Sequence, residues 1–393
     1  MKISRRECIA LMSAGAVAGI SGHYFGDDLL GLFRKAPPKF LQYINQTPTE
    51  LALGDEISPT VPPLLKANDI YWLVTKAYMG MVAACEGTLV MGQPSSISPY
   101  RMSFGGKEIT SLADHPRQRH RFWDKKNNKW DYTTAEGAFQ ILENIWDKLQ
   151  QIYDFWYPGD KFSPANQELA FCYLHSETGG SARLMDGVNV LHQHITVSFE
   201  AFKAAVLSDG AVWAALPFSP IGVPTGQSSK PLWKAWTWFN WALWRQCGYC
   251  RSITHPINPD NQLSLQQLQA LRSDTMRWRE EKKRMHYGED YAVAKGTPIH
   301  APENGVISLI DYDAGAGHIV CFVPEGYPEL EIISFHCTEE FPFSQGDRVK
   351  RRDVIGFTGD SGIGTGEHWH VEVTVDGVHI DPRWYLGMAH WFA

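Results

Sequence analysis

From Met285 onward the chain changes texture, and this change does most to limit its fold. Short β-rich runs occupy Gly305 to Asp311, His318 to Val323, Glu331 to Phe335, Val354 to Thr358 and His368 to Val375, with Gly and Asp turns between them. Runs of this kind bounded by turn formers read as strands, so 285–393 is expected to be a compact all-β domain. Upstream the pattern is helical. Glu136 to Asp154 and Phe199 to Leu207 carry apolar residues at helix spacing, and 67–250 reads as a mostly helical domain. In the segment 251–284, Leu263 to Met285 is rich in Gln, Arg and Glu, and its leucines near helical spacing predict a connecting helix. There is no internal repeat.

A chain of 393 residues with 44% hydrophobic content can bury two to three cores. Its net charge of −7 lacks the basic footprint of a nucleic-acid binder, so nucleic acid is excluded as a partner. The N-terminus reads as a secretory signal peptide over 1–22. Lys2, Arg5 and Arg6 are its positive region, Cys8 to Gly15 its short apolar run and Ala16-Val17-Ala18 its small-x-small pattern. Ser4-Arg5-Arg6 fits a twin-arginine export signal only in part. The apolar run is too short for a membrane span. The expected location is therefore the periplasm or the cell surface. Pro37-Pro38 and Pro59 to Pro63 mark 23–66 as a linker or N-terminal extension. Outside the leader six cysteines remain, an even number compatible with disulfides. Cys247 and Cys250 form a CxxC without a second such pair to complete a zinc site, so a disulfide or two free thiols is expected there.

After Met285 the histidines and acids form a constellation. His286 and Asp290 stand in His-Tyr-Gly-Glu-Asp, His336 in Ser-Phe-His-Cys, and His368 and His370 in Glu-His-Trp-His-Val-Glu-Val. Alternate residues of a strand share a face, so His368 and His370 would project into one site. Three protein ligands with one open position is the arrangement of a catalytic zinc. Any one of these histidines alone would be an ordinary surface or core residue; the set is far more specific.

The stretch from His286 to about Leu386 resembles the lysostaphin/LytM-type zinc endopeptidases. Their HxGxD appears as His286-Tyr-Gly288-Glu-Asp290, their GTPVxAP as Gly296 to Pro302, and their TGxHxH as Thr365 to His370, with Asp381-Pro382 closing the domain. The resemblance implies Zn2+ held by His286, Asp290 and His370, with His336 and His368 as catalytic histidines outside the ligand set. It implies hydrolysis of peptidoglycan peptides by a zinc-activated water. Two departures stand out. Ser334 occupies a position where many members have Tyr, which bears on transition-state stabilisation, and Arg351-Arg352-Asp353 replaces a Lys-Gly-Gln-like turn.

A second series runs through the helical region: Cys85-Glu86-Gly87-Thr88, Gly105-Gly106, Asp114 to Arg117, Thr133 to Leu142, Phe162 to Gln167 and Trp213 to Pro217. A lone Glu after an apolar run is usually a solvated helix end. In this order, however, the series resembles the lysozyme of bacteriophage lambda and its relatives, which are lytic transglycosylases of lysozyme-like α+β fold. The resemblance implies Glu86 as the catalytic acid, with a pKa raised in a partly apolar groove. Cys85 replaces the family's Ser, and Ala138-Phe139 replaces Arg-Tyr, which removes an arginine from the substrate's surroundings. A two-carboxylate hydrolysis would need a partner for Glu86, and the sequence offers Asp114 and Glu136 without showing that either faces it. The tryptophans of Lys230 to Arg245 fit core packing first, glycan stacking second, and weak membrane association third.

The sequence thus predicts a multidomain protein, an α+β lysozyme-like domain followed by an all-β zinc endopeptidase domain, that degrades peptidoglycan at both glycan and peptide bonds. Two rival readings remain. One is a zinc endopeptidase whose lysozyme-like domain only binds glycan; the other is a non-catalytic activator of other wall hydrolases. The peptide bond cut, D-Ala to diaminopimelate or a glycine bridge, stays open.

Overall fold

Residues 67–91, 96–124, 127–153, 156–191, 194–221, 229–246, 253–364 and 366–391 are described in a computed structural model of the chain. The expected leader, the 23–66 linker and the Cys247–Cys250 pair lie outside these residues. The chain divides into two compact units, the first ending at Gln246 and the second comprising 247 onward together with 190–194.

In the first unit α1 spans Ala67–Glu86, the hairpin strands are β1 (His120–Asp124) and β2 (Lys129–Thr133), and α2 (Glu143–Ile152), α3 (Pro164–Glu177) and α4 (Gly180–Asp186) follow. Next come β3 (Val188–Leu191) and β4 (His194–Val197), of which 190–194 group with the second unit, then α5 (Phe199–Asp209) and α6 (Leu232–Gln246). α1 is apolar around most of its circumference, and Val74, Ala77, Tyr78, Met81 and Val82 are all fully buried. Such a helix must be surrounded. α6 covers one side along its length, and α3 and α4 touch the rest. Three tryptophans of α6 are buried, Trp236, Trp241 and Trp244, and the Trp236 ring centre lies 4.9 Å from that of Phe202 and 5.3 Å from that of Phe199. α3 starts where Ser163 accepts a hydrogen bond from Asn166 N and Pro164 takes the first turn.

One predicted helix is shorter than its periodicity suggests. Of Glu136 to Asp154 only Glu143–Ile152 is helical. Gly137 and Gln140 adopt left-handed backbone, at φ of 73° and 47°, which no helix tolerates. The loop is held instead by bridges of Glu136 to Ser103 and Ile141. Its apolar residues Ala138, Phe139 and Ile141 are buried as loop residues, so the sequence shows burial without a helix.

The second unit contains α7 (Leu265–Leu271), β5 (Arg272–Asp274), β6 (Arg277–Arg279), β7 (Arg284–His286), β8 (Glu289–Tyr291), β9 (Pro298–His300), β10 (Gly305–Asp313), β11 (Gly317–Pro324) and β12 (Leu330–Cys337). It ends with β13 (Arg348–Val349), β14 (Val354–Phe357), β15 (Trp369–Val375), β16 (Val378–Ile380) and α8 (Pro382–Trp391). The main sheet runs β13-β10-β11-β12-β15-β8-β5, with β16 also paired to β15. β15 alternates strictly. Trp369, Val371, Val373 and Val375 are buried on one face with Leu330 and Ile332, while His370 and Glu372 point to the other.

The segment expected to hold a connecting helix has a short one, Leu265–Leu271, followed by short strands. Its helix stops at Leu271, after a capping box of Ser264 and Gln267. β5 then joins the edge of the sheet beside β8, and β6 pairs with β7 as a hairpin. Leucine spacing ends at Leu271, so the helical signal had no support further on. Cys85, Cys172, Cys321 and Cys337 are buried free thiols. Among the described residues no helix is long and apolar enough to cross a membrane.

Candidate functional site

β7, β8 and β15 bring His286, Asp290 and His370 together, with Asp290 and His370 directly opposed in the ladder. Gly288 lies between the first two in sequence. A Cβ there would stand 2.7 Å from the His370 ring and 2.6 Å from the Val371 carbonyl, so the turn passes only as glycine.

Hydrogen bonds fix which nitrogen of each ring is free. His286 Nδ1 donates to the Thr275 carbonyl at 2.8 Å, leaving Nε2 with its lone pair. His370 Nε2 donates to Glu372 Oε1 at 3.1 Å, so Nδ1 is the nitrogen it offers an ion once the proton shared with Asp290 is displaced. Those two nitrogens are 3.1 Å apart, and Asp290 Oδ1 lies 3.3 Å from the first and 2.6 Å from the second. Three acceptors therefore converge on one another. Ligands of a tetrahedral zinc at about 2.0–2.1 Å stand roughly 3.3 Å apart, so a slight opening between Asp290 and His370 admits the ion. Two imidazoles and a carboxylate are a donor set that suits zinc. Burial opposes charge on His370, but Asp290 and Glu372 outweigh it and raise its pKa to about 9, so metal uptake displaces a proton. Burial likewise opposes ionisation of Asp290, yet the two histidines hold it well below the usual carboxylate range.

His336 and His368 flank this cluster. Their ring centres are 5.0 Å apart, and that of His336 is 6.1 Å from His370. His368 Nε2 is 3.9 Å from Asp290 Oδ1 while its Nδ1 donates to the Gly366 carbonyl at 2.7 Å. His336 Nδ1 donates to the Ser361 carbonyl at 2.8 Å. The backbone of His336 is left-handed, at φ 57°, in a bulge where Phe335 and His336 of β12 oppose the single residue Ile319 of β11. A bulge turns a side chain out of the strand's alternation, here toward the metal cluster. Burial lowers the His336 pKa, which favours its neutral form. Ser334, the departure from the Tyr of the resembled family, is buried and accepts the Trp369 indole N–H at 3.0 Å.

In the first unit Glu86 closes α1, and its Oε1 accepts the Ala215 N–H at 3.2 Å. The other motifs gather on the loop 136–141. Thr88 Oγ donates to the Ala138 carbonyl at 2.6 Å, and Gln167 Oε1 accepts from Ala138 N at 3.0 Å. Trp213 donates to the Phe139 carbonyl at 3.2 Å, and His115 Nε2 lies 2.9 Å from the Ile141 carbonyl. Residues from four separate stretches thus brace one loop. Asp114 is engaged by Arg117, the Trp146 indole and its neighbour's N–H, which outweigh burial and lower its pKa. Glu136 is fully buried 2.7 Å from His120 Nε2, and burial raises its pKa.

Sequence reasoning missed the outer partners of the metal cluster. Glu372 binds His370 on one oxygen and His379 on the other, at 2.7 Å, and burial is outweighed by both rings so that its pKa falls to about 2. Glu372 follows His370 by two on the same strand, a signal that was present. Arg279 donates to Asp290 Oδ2 at 3.1 Å and is itself paired with Asp274. Nothing in the sequence linked that arginine to the site, because the link depends on the β6–β7 hairpin.

Comparison with known proteins gives two matches. Residues 284–382 match peptidase family M23, and residues 76–242 match the Endolysin family. Over about 99 residues, a quarter of the chain, it is 35% identical to the DD-carboxypeptidase/endopeptidase Mpg of Neisseria meningitidis serogroup B and 31% identical to an uncharacterized metalloprotease of Haemophilus influenzae. The peptidoglycan DD-endopeptidase ShyC of Vibrio cholerae is 34% identical over 98 residues. These matches span only about a fifth of the relatives' own length, 20% to 22%. The catalytic domain of lysostaphin from Staphylococcus simulans aligns at 24% identity over 32% of this chain and 98% of that domain, with a TM-score of 0.29. The chain thus joins an endolysin-family segment over 76–242 to a peptidase family M23 segment over 284–382.

Proposed function

We propose that this chain is an exported, bifunctional peptidoglycan hydrolase, a zinc endopeptidase in its second unit and a lytic transglycosylase in its first. The observation that carries the peptidase reading is the convergence of His286 Nε2, Asp290 Oδ1 and His370 Nδ1, three acceptor atoms within 3.3 Å of one another. Bound by these three, zinc supplies Lewis acidity to a water and to the scissile amide carbonyl. His336, neutral and tied to Ser361 through Nδ1, presents Nε2 to accept the proton of the attacking water. His336 then returns that proton from Nε2 to the leaving amine, while His368, oriented by Gly366 through Nδ1, turns its Nε2 toward Asp290 beside the ligand cluster. The Neisseria and Vibrio relatives, named for DD-endopeptidase activity, favour a peptide cross-link as the bond cut.

In the first unit Glu86 protonates the glycosidic oxygen between MurNAc and GlcNAc. Its carboxylate then takes the proton of the MurNAc C6 hydroxyl as that oxygen bonds C1 and closes the 1,6-anhydro ring. The engagement of Asp114 with Arg117, and of Glu136 with His120, favours this one-carboxylate chemistry over a two-carboxylate hydrolysis. Both bonds belong to one polymer, so tethering raises the local concentration of the second site after the first cut.

A cross-linked muropeptide dimer tests the peptidase. Cleavage should stop on chelation with EDTA and return with added zinc; cleavage that persists through chelation and in His370→Ala contradicts the reading.

A further inference from the structure

The turn between β7 and β8 carries a large aromatic beside the metal cluster. Tyr287 lies between His286 and Gly288 and is 43% exposed. Its ring stacks on that of His379 from β16, with centres 4.4 Å apart and planes 27° from parallel. His379 Nε2 donates to Glu372 Oε2 at 2.7 Å, and Glu372 Oε1 accepts from His370 Nε2 at 3.1 Å. His370 Nδ1 in turn lies 3.1 Å from His286 Nε2. The contacts therefore close on themselves, from His286 through Tyr287, His379, Glu372 and His370 back to His286.

The stack does something the hydrogen bonds cannot. An imidazole turns easily about its ring torsion, so one hydrogen bond leaves its plane loosely set. The strand that carries His379 is only Val378–Ile380, and its side chain is 29% exposed. A flat tyrosine ring against it fixes the plane and keeps water from the bond to Glu372, which strengthens that bond. Gly288, the next residue of the same turn, lies against the His370 ring. One turn thus touches both a ligand ring and the ring that steers it.

We infer that Tyr287 is a positioning residue for zinc: stacked on His379, it sets how that ring holds Glu372 and, through Glu372, the nitrogen that His370 offers the ion. The inference rests on the proposed zinc site and adds a residue outside both the ligands and their hydrogen-bonded partners. The turn that bears one histidine ligand thereby orients the other. Stacking uses the ring and not the hydroxyl, so phenylalanine should serve in its place.

Zinc affinity of the full chain, measured by chelator competition, tests this. Tyr287→Ala should weaken zinc binding about two- to tenfold, less than loss of a direct outer partner. Tyr287→Phe should stay within about twofold of the parent, because the stack survives. Tyr287→Ala/His379→Ala should lose no more than His379→Ala alone, since the tyrosine acts through that histidine. Parental affinity in Tyr287→Ala, a loss in Tyr287→Phe equal to that in Tyr287→Ala, or additive losses in the double variant overturns the positioning role and leaves the zinc site standing. Parental affinity with a raised KM for a cross-linked muropeptide overturns it in favour of a substrate contact. A parent chain that binds no zinc removes the proposed peptidase and this inference together.

Discussion

Asp290 shows how much the metal cluster depends on single atoms. Its Oδ1 faces the two histidines, while Oδ2 is held by Arg279, so only one oxygen is presented to an ion. Glu372 does the same for His370 by holding Nε2–H, which directs Nδ1 inward. Such outer partners fix ligand orientation, and losing one typically weakens metal binding about 10- to 100-fold. Glu372→Gln should therefore lose zinc affinity in that range by chelator competition, with its far-ultraviolet circular dichroism unchanged; wild-type affinity would remove Glu372 from the metal's support. His379→Ala should show a smaller loss in the same assay. In the other unit, Glu86→Gln should abolish glycan cleavage and spare peptide cleavage. His286, Asp290 and His370 were legible because their chemistry is written in short motifs. Arg279, the Thr275 carbonyl and His379 were not, since each reaches the site through pairings that fix β6 beside β7 and β16 beside β15.

At the scale of elements, the bulge in β12 positions His336. Gly359 lies against it, and a Cβ there would stand 2.6 Å from the His336 carbonyl oxygen. Gly359→Ala should displace the bulge, lower peptide cleavage by about tenfold or more, and leave zinc affinity near wild type, because the three ligands sit on other strands. Equal losses of affinity and cleavage would show that the bulge supports the ligands too. The packing of α6 on α1 makes a second prediction. Trp236→Ala, in a fully buried aromatic cluster, should destabilise the first unit by about 3–5 kcal/mol in urea denaturation. A loss under about 1 kcal/mol would contradict the packing described. The strands of the second unit were readable because alternation and turn residues agree. The loop 133–141 was not, because burial of Ala138, Phe139 and Ile141 mimics a helix face while Gly137 and Gln140 turn left-handed. In 251–284 a helix forms where the leucines predict one, but it is short, because their period ends before β5 joins the sheet.

At the scale of the whole molecule, the proposed function gives one chain two chemistries with different requirements. The proposed peptidase depends on a metal, and the proposed glycan cleavage depends on one carboxyl group. EDTA should therefore suppress release of uncrosslinked peptides without affecting glycan cleavage, and Glu86→Gln should do the reverse. The measurement that tests the central claim most directly is mass spectrometry of products released from purified peptidoglycan by the protein lacking residues 1 to 18. Two active sites predict anhydro-MurNAc ends together with uncrosslinked stem peptides. Uncrosslinked peptides without anhydro or newly reducing sugar ends would contradict it, leaving the zinc peptidase alone and making Glu86 a structural or binding residue.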